Sequence, residues 1–538
     1  MEKVMGVIEE WRRRIDDHPL HKWLVDEDDG VEPEQKLWFA LYFTNFIMYF
    51  RELNIYHISY EARPGLISGT GGHGDADGLR KKAISAHAGE DMTHSRLFMR
   101  DFRTLGWDEL LGWRPSEVLH WLFSSEVNEQ LRRRTTAITK LYVEAADPAV
   151  KYAVVEAVEA CGHGLFRHTC RLADRYTERT GKELIYWGQF HLARETGHAV
   201  EEYDEGEFEG LELTPEQRET AIGLAVRAFE LIDEQNSHML QLAQETISQG
   251  GFAERRRLHA APVTTVPAKE RDMAGWDRSQ FWPEPYEFHF WPVNAHPSQQ
   301  PVVEALRRSD RAVRKSGILD LLQTQDVEEG LGLLRLALMF IAADTCGTPT
   351  VYRYMVPYAY PNTPEERAVN RIARQFGRRA HMLYADWESL GINERLGWPV
   401  SRTLEFVYLD AATESHRDLR AVVTHHIDAT TDPILRYWTM VGLKKMTATY
   451  ADGTGDLARR VEAATGLDLP YLTLKQNPDK VVLEPDPVAD AVRFEEQEID
   501  AATAARAAAL VEDIAEAIRV RYLKMVDSIR ERHYPEVA

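Results

Sequence analysis

One stretch of this chain occurs twice. Asp101-Phe-Arg-Thr-Leu-Gly-Trp-Asp-Glu-Leu-Leu-Gly-Trp113 is matched by Asp386-Trp-Glu-Ser-Leu-Gly-Ile-Asn-Glu-Arg-Leu-Gly-Trp398, an offset of 285 residues. Without a gap, the same offset pairs Leu119 with Leu404, Asp147-Pro148 with Asp432-Pro433, and Tyr152 with Tyr437. It also pairs Leu172-Ala173 with Leu457-Ala458, Thr180-Gly181 with Thr465-Gly466, and Tyr186 with Tyr471. One offset held over that span marks an internal duplication, and a duplicated chain must fold as two related units. With 538 residues, each unit is long enough to bury a core of its own. The expected organisation is a first domain over 1–250, a linker over 251–300 and a second domain over 301–538. The linker reading rests on Arg255-Arg256-Arg257, several prolines and the aromatic run Phe281–Pro292.

The hydrophobic spacing is helical and convincing period-2 strands are missing, which predicts an all-α fold. Helices are expected over 1–24, 33–56, 78–104, 116–142, 147–178 and 182–204, and from Pro215 to about Gly250. Thr214 before Pro215 reads as a cap with proline at the first helical position. Leu105-Gly106 reads as a helix stop. The glycine-rich stretch Gly65–Gly78 contains Gly69-x-Gly71-x-x-Gly74, a spacing that can cradle a dinucleotide phosphate. That use needs a strand before it in a βαβ unit, and no strand is expected there, so the stretch reads as a loop.

A formal net charge of −22 argues against nucleic acid or an anionic membrane as partner. The three cysteines, Cys161, Cys170 and Cys346, are too scattered for a disulfide framework or a thiolate-held cluster. The charged N-terminus reads as no signal peptide, and no apolar run reaches the ~18 residues of a membrane span. A cytoplasmic location is the expectation.

Two octets carry the chemistry. His191-Leu-Ala-Arg-Glu195-Thr-Gly-His198 is spaced H-x-x-x-E-x-x-H, and His87-Ala-Gly-Glu90-Asp91-Met-Thr-His94 is spaced H-x-x-x-D-x-x-H. On a helix, positions i, i+4 and i+7 share one face, so two imidazoles and a carboxylate point into one space. That donor set suits iron, manganese or zinc. Roughly 0.1 copies of one such octet are expected by chance in a chain of this composition, so a pair is hard to dismiss.

The duplication provides an internal control. At the offset of 285, His87, Asp91 and His94 become Ile372, Phe376 and Arg379, while His191, Glu195 and His198 become Gln476, Lys480 and Leu483. Residues of the fold persist in the second copy and the candidate ligands do not, as expected of a functional set discarded as one unit. A two-metal site in a helical bundle also needs carboxylates from facing helices. Glu156 and Glu159 are candidates, and both are lost in the second copy, to Val441 and Lys444. Glu52, with Glu61 behind it, is the candidate from the apolar helix, and Glu90 can replace or join Asp91. His163, one turn past Glu159, reads as a surface residue or one supporting the ligands.

At this point the chain resembles the heme-oxygenase-like diiron oxidases and oxygenases. The resemblance covers roughly residues 10–250 with ligands and 300–535 without them. It rests on the leading segment Asp17-His-Pro-Leu-His-Lys-Trp-Leu24 ahead of a long apolar helix, on His94-Ser-Arg-Leu-Phe98, and on the octet of His191, Glu195 and His198. A glutamate about thirty residues before that octet also fits, which Glu156 and Glu159 both satisfy. The family has a carboxylate where this chain has His87, a departure, and a ligand-free second half is unusual. The resemblance implies two tandem heme-oxygenase-like helical bundles, two iron ions, O2 as oxidant and a small amino-acid or amine substrate. The chemistry implied is N-oxygenation, desaturation or oxidative C–C cleavage. Electrons would come from an external donor or from the substrate. Members often pair as homodimers, so the second copy is expected to stand in for a partner subunit. The alternatives are a ferritin-like diiron N-oxygenase, a zinc hydrolase and a non-catalytic metal-binding or scaffold protein.

Overall fold

The computed structural model describes residues 1–61, 76–195, 208, 210–253, 295–345, 350–376, 380–473, 486–531 and 533–537. The fold is all-α, and no strand occurs among the described residues. Most of the glycine-rich stretch, most of the linker and His198 fall outside them.

The helices break where local chemistry demands it. The first expected helix is two, α1 (Glu2–Asp16) and α2 (Pro19–Val25), because Pro19 lacks an N–H and starts a new helix instead. His18 caps α2 through Nδ1, which accepts from the Leu20 amide at 3.0 Å. A short turn, α3 (Pro33–Lys36), precedes α4 (Phe39–Leu53). Helix α4 is apolar on nearly every side and therefore buried on nearly every side. It runs into one π-helical turn, Asn54–Ile58. The helix expected over 78–104 is α5 (Ala76–Asp91) and α6 (His94–Thr104). Their junction is closed by Glu90, whose carbonyl accepts from the Thr93 amide at 3.2 Å and the Thr93 hydroxyl at 3.0 Å. The first octet therefore straddles a break rather than lining one helix. Helices α7 (Trp107–Leu111), α8 (Pro115–Phe123), α9 (Glu129–Glu144) and α10 (Pro148–Thr180) follow. Next come α11 (Gln189–Glu195) and α12 (Pro215–Ser248). Helices α10 and α12 pack on each other and on α1.

From residue 295 on, a similar order recurs, with α13 (Gln300–Arg314), α14 (Ile318–Leu321) and α15 (Val327–Thr345) ahead of a second π-helical turn, Val351–Met355. Helices α16 (Pro364–Phe376), α17 (Ala380–Ser389), α18 (Ile392–Leu396), α19 (Val400–Tyr408), α20 (Glu414–Asp428) and α21 (Pro433–Thr465) come next. Two short turns, α22 (Pro470–Thr473) and α23 (Pro487–Asp490), precede the last helix, α24 (Ala501–Arg530). Helices α10 and α21 each span 33 residues, begin after a capping aspartate (Asp147, Asp432) and end at a left-handed glycine (Gly181, Gly466).

Buried polar bonds recur with the helices. Arg132 donates to the carbonyls of Leu122 and Ser125, and Arg417 to those of Val407 and Asp410. Lys151 bonds the His57 carbonyl beneath the Tyr60 ring, and Arg436 bonds the Val356 carbonyl beneath the Tyr358 ring. The Tyr60 amide reaches Ser85 across 25 residues, whereas its counterpart at Tyr358 reaches Asn370 across 12. The first half thus carries extra chain between those points, where the glycine-rich stretch lies, and upstream of it the pairing no longer follows the offset of 285.

The two sets meet along α8 and α19, with reciprocal contacts. Helix α8 touches α17, α18 and α19, while α19 touches α6, α7 and α8. The Ser116 amide donates to Asn393 Oδ1 at 3.1 Å, and the Ser401 amide to Asp108 Oδ1 at 2.7 Å. Phe123 and Tyr408, themselves a matched pair, lie 6.4 Å apart. Such reciprocity is the pattern of an isologous dimer interface.

Candidate metal centre

Helices α5, α6, α10 and α11 bring part of the predicted ligand set together. His87 Nε2 lies 3.3 Å from Asp91 Oδ2 and 3.5 Å from Glu159 Oε1, and His94 Nε2 lies 3.8 Å from Asp91 Oδ1. His87, Asp91 and Glu159 form a group that could hold a metal ion. The His94 and His191 rings meet edge to face, with centroids 4.5 Å apart. His87, Asp91, His94 and His191 are all buried, and Glu159 is nearly so. Although α5 ends before His94, the break keeps His94 on the same side as His87 and Asp91, since α6 restarts at His94 itself.

Burial alone would disfavour an imidazolium at His87. The Asp91 and Glu159 carboxylates outweigh it and hold the ring's pKa well above its usual value. A positive charge between two acids is what this arrangement stabilises, and a metal cation would replace the proton. Burial, with Glu159 and Asp91 nearby, keeps the Tyr142 phenol protonated, and burial beside Glu159 does the same for the Cys161 thiol. The donors are imidazole nitrogens and carboxylate oxygens, a set that fits iron, manganese or zinc.

His191 is oriented by a chain of hydrogen bonds that starts in a different helix. Asp101, on α6, is fully buried and accepts from the amides of Ile185, Tyr186 and Trp187 at 2.7, 2.8 and 3.0 Å. This clamps the segment ahead of α11, and the Tyr186 carbonyl then bonds His191 Nδ1 at 2.8 Å. With Nδ1 so bonded, Nε2 is the ring atom that could ligate a metal. Phe166 and Tyr186 pack on the ring at 4.1 and 4.7 Å.

The other candidates lie as follows. Glu52 is buried, and its carboxylate is paired with Arg420 of the second half. Glu61 is exposed, and Glu90, Glu156 and His163 are half-buried and outside the group of three. Glu195 is in α11, but its side chain, like His198, is outside the described residues.

Against His94 and Glu159 lies a partly open pocket, walled mainly by aromatic and aliphatic side chains of α4, α10 and α12. Phe43, Phe46, Ile47 and Phe50 form one of its walls, and Gln235 and Asn236 add buried amides. The spacing of the four apolar residues, i, i+3, i+4 and i+7, marks that face in the sequence, though not as a cavity wall. Nothing local in the sequence singles out Asp101, Tyr142 or Gln235.

No family model matches the chain, and no curated protein matches it.

Proposed function

We propose that the first half is a non-heme diiron, O2-dependent oxidase or oxygenase acting on a small amino-acid or amine-type metabolite. The observation that carries this reading is the convergence of His87, Asp91 and Glu159, from two helices, with His94 and His191 beside them and an apolar cavity alongside. The similarity to heme-oxygenase-like enzymes noted above points the same way.

His87, Asp91, His94, Glu159 and His191 would hold the metal, with Glu195 and His198 the remaining candidates of the second octet. A ferrous pair bound there would supply electrons for the reduction of O2. The protein's part is to exclude water, to seat the substrate and to keep the ligands in place. The aromatic wall of α4 does the first, Gln235 and Asn236 offer polar points for the second, and the bonds from Asp101 through Tyr186 to His191 do the third. With no thiolate cluster legible in the sequence, re-reduction falls to an external donor or to the substrate. The second half, a ligand-free copy, stands in for a partner subunit. Its reciprocal contacts with the first half support that reading.

The test is O2 uptake by Fe(II)-loaded protein, with and without candidate amino acids and amines. Uptake stimulated by one of them, and abolished in His94→Ala and His191→Ala, is the expected result. An active His191→Ala protein contradicts the assignment. Tight zinc, or metal held without O2 uptake, favours a hydrolase or a non-catalytic metal protein instead.

A further inference from the structure

A second, partly open cavity lies where the two halves meet. Like the first it exposes mainly apolar atoms, but its lining residues carry more polar groups. Ten of its thirteen lining residues are polar, among them Asn45, Tyr49, Arg132, Thr139, Arg420 and Thr424. Both halves contribute: Asn45, Tyr49, Arg132 and Thr139 come from α4 and α9, and Arg420 and Thr424 from α20.

Its charge is unbalanced. Arg132 is almost fully buried, spends two guanidinium nitrogens on the carbonyls of Leu122 and Ser125, and makes no ion pair among the described residues. Arg420, side chain 13% exposed, is paired with Glu52 through one nitrogen. The Nε groups of both arginines lack a hydrogen-bond partner among the described residues. Two guanidiniums therefore face one carboxylate. Tyr49 and Tyr408 do not offset the excess, because burial keeps both phenols protonated, with Tyr408 donating to Asn45 Oδ1 and Tyr49 bonded to His57 Nε2. Water would satisfy a donor but would leave the second positive charge uncompensated.

Arg132 has a counterpart in Arg417 and so belongs to the repeated framework. Arg420 does not: the matched position in the first half is Thr135, which lines the same cavity. The arginine that makes the cavity positive is thus specific to one copy, as the candidate metal ligands are specific to the other.

We propose that this cavity between the halves binds a small anion, a carboxylate or phosphate group, held by Arg420 within the field of Arg132 and bonded through the Nε groups that have no partner among the described residues. The guanidinium fork suits such oxyanions. Helix α4 separates the two cavities, with Asn45 and Tyr49 on this one and Phe43, Phe46 and Phe50 on the other. The site does not depend on the metal reading.

Isothermal titration of the full chain with inorganic phosphate, and separately with succinate, tests this. Saturable binding of at least one is expected, and the preferred probe identifies the source chemistry. In Glu52→Gln/Arg420→Gln, which removes the pair without stranding either charge, affinity should fall by about tenfold or more. Arg420→Lys keeps every charge but removes the guanidinium fork and should weaken binding severalfold, which preserves a test if the first variant does not fold. The proposal is overturned if neither anion binds saturably to the wild-type chain, or if binding is unchanged in whichever of these variants fold.

Discussion

Asp101 and Asp386 occupy matched positions, both fully buried, and each accepts backbone amides from the segment that follows the long helix of its half. Asp101 takes three, from Ile185, Tyr186 and Trp187, while Asp386 takes two, from Tyr471 and Leu472. The residue matched to Ile185 is Pro470, which has no N–H to give. Burial pushes Asp101 up to about 6 and Asp386 up to about 8, where Asp468 and Glu462 add to the rise. The clamp persists in both halves, but in the first it also positions the carbonyl that holds His191. The comparison separates framework from candidate site: Asp101, Arg132, Lys151 and their counterparts bond the backbone in both halves, whereas Ile372, Phe376, Arg379 and Lys444 stand where the first half has His87, Asp91, His94 and Glu159.

The largest effect that would break this contrast concerns metal. Glu159→Gln or His87→Ala should lower iron affinity by more than about 100-fold, beyond the range of outer-sphere changes. Lys444→Ala, at the position matched to Glu159, should leave iron content unchanged. Metal analysis after anaerobic loading and desalting checks both. Next in size, Asp101→Asn should lower iron affinity by roughly 10-fold or more, because a slackened Tyr186 segment lets His191 turn. Asp386→Asn should leave it unchanged, and equal effects at the two aspartates would erase the distinction.

The third effect is on stability against pH. Asp386 sheds its proton near 3.8 when unfolded but keeps it to about 8 when folded. A raised folded pKa stabilises fully below 3.8, and that contribution is lost as pH rises toward 8. The loss runs at up to about 1.4 kcal/mol per pH unit. Asp386→Asn should flatten this slope in denaturant melts, while Pro470→Ala, by restoring the third donor, should bring its upper end down toward that of Asp101. The smallest effect is at the interface, where Ser116→Ala, losing the hydroxyl's bond to Glu388, and Ser401→Ala, losing its bond to Asp108, should each cost about 1 kcal/mol while the two reciprocal amide bonds persist.

The helical class and the repeat are legible in the sequence, since both rest on spacing. The pairing of Glu52 is not, because its partner Arg420 lies in the other half and no local pattern announces it. The break inside the first octet is also hidden: Met92-Thr93 looks helical, and only the bonds from Thr93 back to Glu90 close the turn. The offset of 285 fails upstream of Ser85 because the first half is longer there, which a gapless comparison cannot reveal. Within the site, the side chains of one or two turns are legible as a set. The support that Asp101 gives His191 from another helix is not.

The most direct measurement is the number of irons held per chain in an anaerobic Fe(II) titration, compared among the wild type, Glu159→Gln and Lys444→Ala. Two irons in the wild type, lost in Glu159→Gln and retained in Lys444→Ala, are the predicted result. No bound iron in the wild type, or full occupancy in Glu159→Gln, contradicts the account.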